Sequence, residues 1–134
     1  MITTDRDILN MVSDEVPMNT DVSEMVGIMK SEMIKSRGIG IAAIQLAMSW
    51  RVIIINTDRC QMVVINPVLS ECKYEKKSKE GCLSVPNKRV TKDRFNHVVI
   101  SGFDENWNPI KKKLKALSAF VAQHEVDHLN GITI

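Results

Sequence analysis

His124-Glu125-Val126-Asp127-His128 is the stretch of this sequence with the plainest chemical meaning. On a helix, residues four apart project from the same side, so both imidazoles can reach one metal ion. Glu125, about 100° round the helix from His124, can then touch a water on that ion and move its protons. The chain has only 3 histidines, so chance rarely makes this pattern. The ordinary alternative is a pair of hydrogen-bonded core histidines. Two imidazoles do not complete a metal site. In the two common protease arrangements the third ligand is a glutamate well downstream or a histidine six residues after the second. Only Leu129 to Ile134 follow here, with Ile134 in the latter position, so the third ligand is expected from upstream.

The upstream candidates are Cys60, Cys72, Cys82, His97 and several carboxylates. Cys82 leads them. Gly81 before it permits a close backbone approach, and Pro86 stiffens the exit of Leu83-Ser84-Val85. Cys60 and Cys72 lack such surroundings and read as packing or surface thiols. A third segment, Gly38-Ile39-Gly40-Ile41-Ala42-Ala43-Ile44-Gln45, fails as a dinucleotide fingerprint, having no preceding strand and no third glycine. Its ordinary reading is a helix end running into a tight turn. Gln45 weighs against that reading, because an amide at the end of an apolar run must tie two loops together or face a polar ligand.

The elements that position these residues follow from periodicity. Apolar residues at 22, 25, 26, 29 and 33 predict a helix over Asp21–Lys35, with Asp21 and Glu24 as a capping box and Gly38 just past its end. Val52–Ile55 and Met62–Ile65 read as short buried strands, and His97–Phe103 continues that style. Turn residues from Asp104 to Pro109 lead into Ile110–Lys115 as the second arm of a hairpin. The last helix is predicted over Ala116–Leu129, with Leu117, Phe120, Val121, His124 and His128 on one face and no capping side chain at its start. This order predicts an α+β fold, mainly antiparallel β-sheets packed around a C-terminal metal-binding helix.

At 134 residues the chain reads as a single domain, 1–134, with 44% hydrophobic and 25% charged residues. Aromatics reach only 4%, so the core must rest on aliphatic side chains and methionine. A net charge of +2 gives no argument for nucleic acid, and the Lys111–Lys113 run reads as a solvated strand edge. Three cysteines, unevenly spaced, do not make a disulfide framework. No signal peptide or membrane span is evident, and a cytoplasmic location is expected. Trp107 is expected to cover the hairpin or meet a partner.

Together the three segments resemble the peptide deformylase family. Its members show Gly-x-Gly-x-Ala-Ala-x-Gln, then Glu-Gly-Cys-x-Ser, then Gln-His-Glu-x-Asp-His, matched here by Gly38–Gln45, Glu80–Ser84 and Gln123–His128. The likeness runs from about residue 22 to 131. It implies a metal-dependent hydrolase that removes the N-formyl group from formyl-methionyl nascent peptides, releasing formate. Cys82, His124 and His128 then correspond to the metal ligands and Glu125 to the general acid/base. Gln45 and the Leu83 backbone N–H correspond to the groups that hold the formyl oxygen. Gly40 and Arg94 match positions that contact the peptide backbone. Glu80 is expected at the substrate site or orienting a ligand from behind, a role Asp127 could share. Leu117, Phe120, Val121 and Ile39 are expected to line a slot for the methionine side chain.

One divalent ion per chain is expected, ferrous iron foremost, with zinc, nickel or cobalt able to substitute. The expected partner is a formyl-methionyl peptide or nascent chain, met by a monomer. Bacterial members usually continue past the third motif with another helix. Its absence leaves ribosome contact transient at most and suits the short phage-encoded members, which would place the protein in a host cytoplasm. Rival readings are an esterase or peptidase on the same ion, a non-catalytic metal-binding module and a structural zinc domain. The last is disfavoured for want of a fourth protein ligand.

Overall fold

The computed structural model describes residues 1–134. β2 (Val52–Thr57) pairs antiparallel with the start of β3 (Cys60–Cys82), and each strand buries side chains on both faces. Successive side chains of a strand point to opposite sides. Ile53, Ile55 and Val64 therefore join one apolar cluster with Ala119, Val121, Ala122 and Leu129 of helix α3 (Ala116–Leu129). Val52, Ile54, Val63 and Ile65 face the other way and pack with Val26, Met29 and Met33 of helix α2 (Ser23–Lys35) and with Val22 just before it. A two-sided core explains why the strands are unbroken β-branched runs. It also shows how a chain so poor in aromatics closes its interior.

The sheet has five strands in the order β1-β2-β3-β4-β5, every neighbouring pair antiparallel, with β1 at Gly40–Ala42, β4 at Val85–Phe103 and β5 at Pro109–Lys115. A one-turn helix α1 (Arg6–Leu9) precedes α2. The α+β class and the helix bounds 116–129 are as the sequence predicts. So is the hairpin through Asp104–Asn108, where the Asp104 carboxylate accepts from the Asn106 and Asn108 amides. Trp107 covers that hairpin, lying on Phe103 and donating its indole N–H to the Thr20 carbonyl. Lys111, Lys112 and Lys113 are exposed on the edge strand β5. No helix is long and apolar enough to cross a membrane.

Three details differ from the sequence reading. β3 and β4 extend into a long two-stranded ribbon that apolar alternation does not mark. Register shifts near residues 65–68 and 70–73 let one strand serve first the sheet and then the ribbon. Helix α2 begins at Ser23, and Asp21 bonds the Ser23 amide and hydroxyl instead of forming a capping box with Glu24. At its other end Arg37, not Gly38, takes the left-handed conformation. The Gly38 amide bonds the Met33 carbonyl one position later, a Schellman closure.

β1 is an edge strand, and α3 packs directly against it. A Cβ on Gly40 would stand 2.6 Å from Val121 Cγ1 and 2.8 Å from a Glu125 carboxylate oxygen, so only glycine permits this approach. Gly40→Ala is expected to lower stability by about 1–3 kcal/mol, the cost of overpacking a rigid site. Urea unfolding measures it, and an unchanged midpoint would show that strand and helix are not in contact.

Candidate metal centre and its cavity

β3 ends at Cys82, and the two-residue turn Leu83-Ser84 returns the chain into β4. The turn brings Cys82 Sγ to 3.3 Å from His128 Nε2. One ligand atom each from Cys82, His124 and His128 lies within 4.8 Å of the others. A tetrahedral ion bonded to sulfur at about 2.3 Å and to imidazole nitrogen at about 2.0–2.1 Å sets those atoms about 3.3–3.6 Å apart. The donors therefore stand near ligand spacing. Cys60 is buried and Cys72 exposed, both outside the group.

The two imidazoles are prepared differently. His124 Nδ1 lies 3.0 Å from Glu80 Oε1, which fixes the ring and leaves Nε2 free. Burial alone would favour neutral His124, yet the Cys82 sulfur and the Glu80 carboxylate beside it raise its pKa to about 10. These surroundings favour positive charge at this point, whether a proton or an ion supplies it. His128 is fully buried, and burial together with the positive His124 and Arg94 lowers its pKa to about 3. A neutral ring has a lone pair to give, so the charge state suits a ligand.

Arg94 organises the back of the site. Its guanidinium donates to both Glu80 oxygens, at 2.9 and 2.7 Å, and to Asp127 at 2.6 Å. Arg94 is 7% exposed and does not line the cavity. A peptide-backbone contact is the expectation from the sequence; in the structure its hydrogen bonds go to two carboxylates, and it adjoins the centre through Glu80. Glu80 borders the cavity, but its carboxylate serves Arg94 and His124, a positioning role. Burial would raise the Glu80 carboxyl, but hydrogen bonds from His124, Arg94 and Ser78 hold it at about 2.

The remaining predicted residues surround one cavity of about 590 Å³. Ile39, Gly40, Leu117, Phe120 and Val121 line it, with Cys82, Leu83, His124 and Glu125. The histidine-bearing stripe of α3 therefore faces a hollow, with Leu117 half-exposed at its mouth and Val121 buried. Gln45 is fully buried in the 3₁₀ turn Ala43–Leu46. Its Oε1 accepts from the Ala42 amide at 2.9 Å, while Nε2 donates to Ser84 Oγ at 3.2 Å and lies 3.7 Å from Cys82 Sγ. The amide both ties two loops together and points its N–H groups at the centre. Glu125 Oε1 is buried without a hydrogen-bond partner in the protein, and burial raises this carboxyl to about 7. An orphaned carboxylate oxygen beside three ligand atoms suits a proton carrier for something bound there.

Sequence reasoning missed Gln123 as a structural residue. Its side-chain amide bonds the amide and carbonyl of Phe95 and fastens α3 to β4. No spacing rule marks it, since its partners come from a distant strand. The nearby Ser84, which accepts from Gln45, is marked only by its place in the Glu80–Ser84 segment.

The family model of polypeptide deformylase matches residues 1–134. The chain belongs to that family. It is 35% identical over 126 residues to the peptide deformylase of Pelotomaculum thermopropionicum, covering 93% of this chain and 81% of that protein. It is 34% identical over 134 residues to the one from Aquifex aeolicus, covering 95% and 79%. Among solved structures, a deformylase from the Vibrio parahaemolyticus bacteriophage VP16T in complex with actinonin superposes with a TM-score of 0.97 at 41% identity, covering 99% of this deformylase and 98% of the phage chain. A class I type b peptide deformylase from Acinetobacter baumannii with Met-Ala-Ser bound gives 0.92 at 30% identity, covering 99% and 94%.

Replacing Arg94 tests the arrangement behind the centre. Arg94→Leu strips the guanidinium from buried Glu80 and leaves it only His124 and Ser78 as partners, and urea unfolding of metal-free protein at pH 7 is expected to show a loss of about 3 kcal/mol. Because Glu80 is depressed from 4.5 to about 2, its stabilising contribution is complete above 4.5 and lost as pH falls towards 2. The gap between wild type and variant should therefore narrow through that window. A gap independent of pH would show that Glu80 does not carry the effect.

Proposed function

We propose that residues 1–134 form one catalytic domain that hydrolyses the N-formyl group of formyl-methionyl peptides to formate and a free amino terminus. The observation that carries this reading is the convergence of a sulfur and two imidazoles at one cavity that also holds a buried carboxylate and a buried amide. Cys82, His124 and His128 hold one divalent ion, ferrous in the cell, with zinc, nickel or cobalt able to substitute. When bound, such an ion polarises the carbonyl and makes water a nucleophile near neutral pH.

The chain's own residues do the rest. Glu125 accepts a proton from the attacking water and delivers it to the departing amine nitrogen, a two-way task suited to a carboxyl raised towards 7. As the carbonyl becomes tetrahedral, Gln45 Nε2 and the Leu83 amide donate to the oxygen that gains charge. One preorganised donor of this kind is worth about 2.7–4 kcal/mol in the transition state. Gln45 needs little reorganisation, because its Oε1 is already anchored to Ala42. The methionine side chain fits beside Ile39, Leu117, Phe120 and Val121.

Gly40 lies on an edge strand, so a peptide can add there by backbone pairing, as extended ligands do at open sheet edges. The Acinetobacter deformylase with Met-Ala-Ser bound supports a peptide ligand of this length. We place the enzyme in the cytoplasm as a monomer that meets nascent chains. If its source is a phage, that cytoplasm is the host's.

Formate release from formyl-Met-Ala-Ser, with acetyl-Met-Ala-Ser and the unblocked peptide as controls, tests the activity. Metal-loaded wild type is expected to release formate from the first alone. Glu125→Gln should retain the ion and lose about 10²–10⁴-fold in kcat. Wild-type turnover by that variant would remove Glu125 from proton transfer, and equal rates on the acetylated peptide would overturn the formyl assignment.

A further inference from the structure

The cavity mouth has a sign. Arg37, Lys79, Lys88 and Arg89 line it and are exposed, and none takes part in an ion pair. The two acids that border the same cavity offer them no compensation: Glu80 is committed to Arg94 and His124, and Glu125 is buried. Four uncompensated cations gather on a chain whose net charge is only +2. Arg89 is also held in place. It pairs across the ribbon with Gly81, its side chain packs within 4 Å of the position a Cβ would take there, and one guanidinium N–H donates to the Lys79 carbonyl at 3.5 Å. The other N–H groups of that fork remain available.

From this we infer that acidic side chains downstream of the formyl-methionine are selected by the cationic rim of Arg37, Lys79, Lys88 and Arg89. The inference rests on the deformylase reading and adds a preference to it. A peptide anchored at the centre by its amino end must leave through the mouth, so its later residues pass these charges. A carboxylate there gains attraction from a field concentrated by the cavity walls, whereas a lysine meets like charge. The alternative partner, a nucleic-acid backbone, fits less well. The cations converge on one cavity, and the other basic run, Lys111–Lys113, lies on β5 at the opposite edge of the sheet from β1.

The test uses metal-loaded protein and two peptide series, formyl-Met-Xaa-Ser and formyl-Met-Ala-Xaa, with Xaa as Glu, Gln or Lys. Neighbouring side chains of an extended peptide face opposite ways, so the effect should concentrate in one series. In that series, kcat/KM at low salt is expected to favour Glu over Lys by about three- to tenfold, the range for a few exposed charge pairs. KM should carry the difference, and salt at about 0.5 M should flatten it. A Lys79→Glu/Lys88→Glu double variant, whose rim carries two charges of each sign, should lose the preference, with the Gln peptide as each protein's internal reference so that any loss of folded protein cancels. Equal kcat/KM for all three residues in both series would overturn the inference. So would a flat ranking alongside salt-sensitive binding of a ribosomal RNA fragment that the double variant abolishes. Failure to release formate from every peptide would instead overturn the activity on which the inference stands.

Discussion

A single buried carboxylate ties the site to the fold. Glu80 sits on the β3–β4 ribbon and receives the Arg94 fork from the facing strand and His124 from helix α3. Arg94 also holds Asp127, one turn along that helix. A buried ion pair of this kind gains little net stability, because desolvating the charges offsets their attraction. Its effect here is directional. The same network that docks the ribbon on the helix orients the His124 ring, and the ribbon's end delivers Cys82 to meet it. Folding and metal-site assembly are thus one event.

Glycines and small residues set the distances in which that event can happen. Gly40 lets β1 lie against Val121 and Glu125, and Gly38 makes room for the Leu83 side chain, whose Cδ1 would stand 2.8 Å from a Cβ there. Ala119 and Ala122 bring α3 close to the sheet. The resulting cavity is graded from inside to outside. Sulfur, imidazole and carboxylate stand at the centre, aliphatic and aromatic carbon forms one wall, and positive charge surrounds the mouth.

Much of this was legible in the sequence where the signal is local. His124, Glu125 and His128 declare themselves because helical spacing alone places them together. Cys82 and Gln45 were found through their immediate neighbours, Gly81 and Pro86 for one and an apolar run for the other. What depends on distant pairing was not legible. The β3–β4 ribbon beyond residue 70 is polar on its outer face and reads like a loop until its partner strand is known. Nothing adjacent to Arg94 reveals that Glu80 and Asp127 enclose it. Gln123 was silent for the same reason. At the start of α2, Asp21 competes for its own neighbour Ser23, a local bond that the four-residue capping pattern does not anticipate.

The proposed metal site puts one ion between one sulfur and two imidazole nitrogens, drawn from Cys82, His124 and His128. X-ray absorption at the zinc edge of protein loaded with one equivalent of zinc tests this most directly. Such a site gives a single sulfur scatterer at about 2.3 Å with nitrogens at about 2.0–2.1 Å, and loses the sulfur shell in Cys82→Ala but not in Cys60→Ala or Cys72→Ala. A spectrum with no sulfur, or a sulfur shell that survives Cys82→Ala, would contradict it.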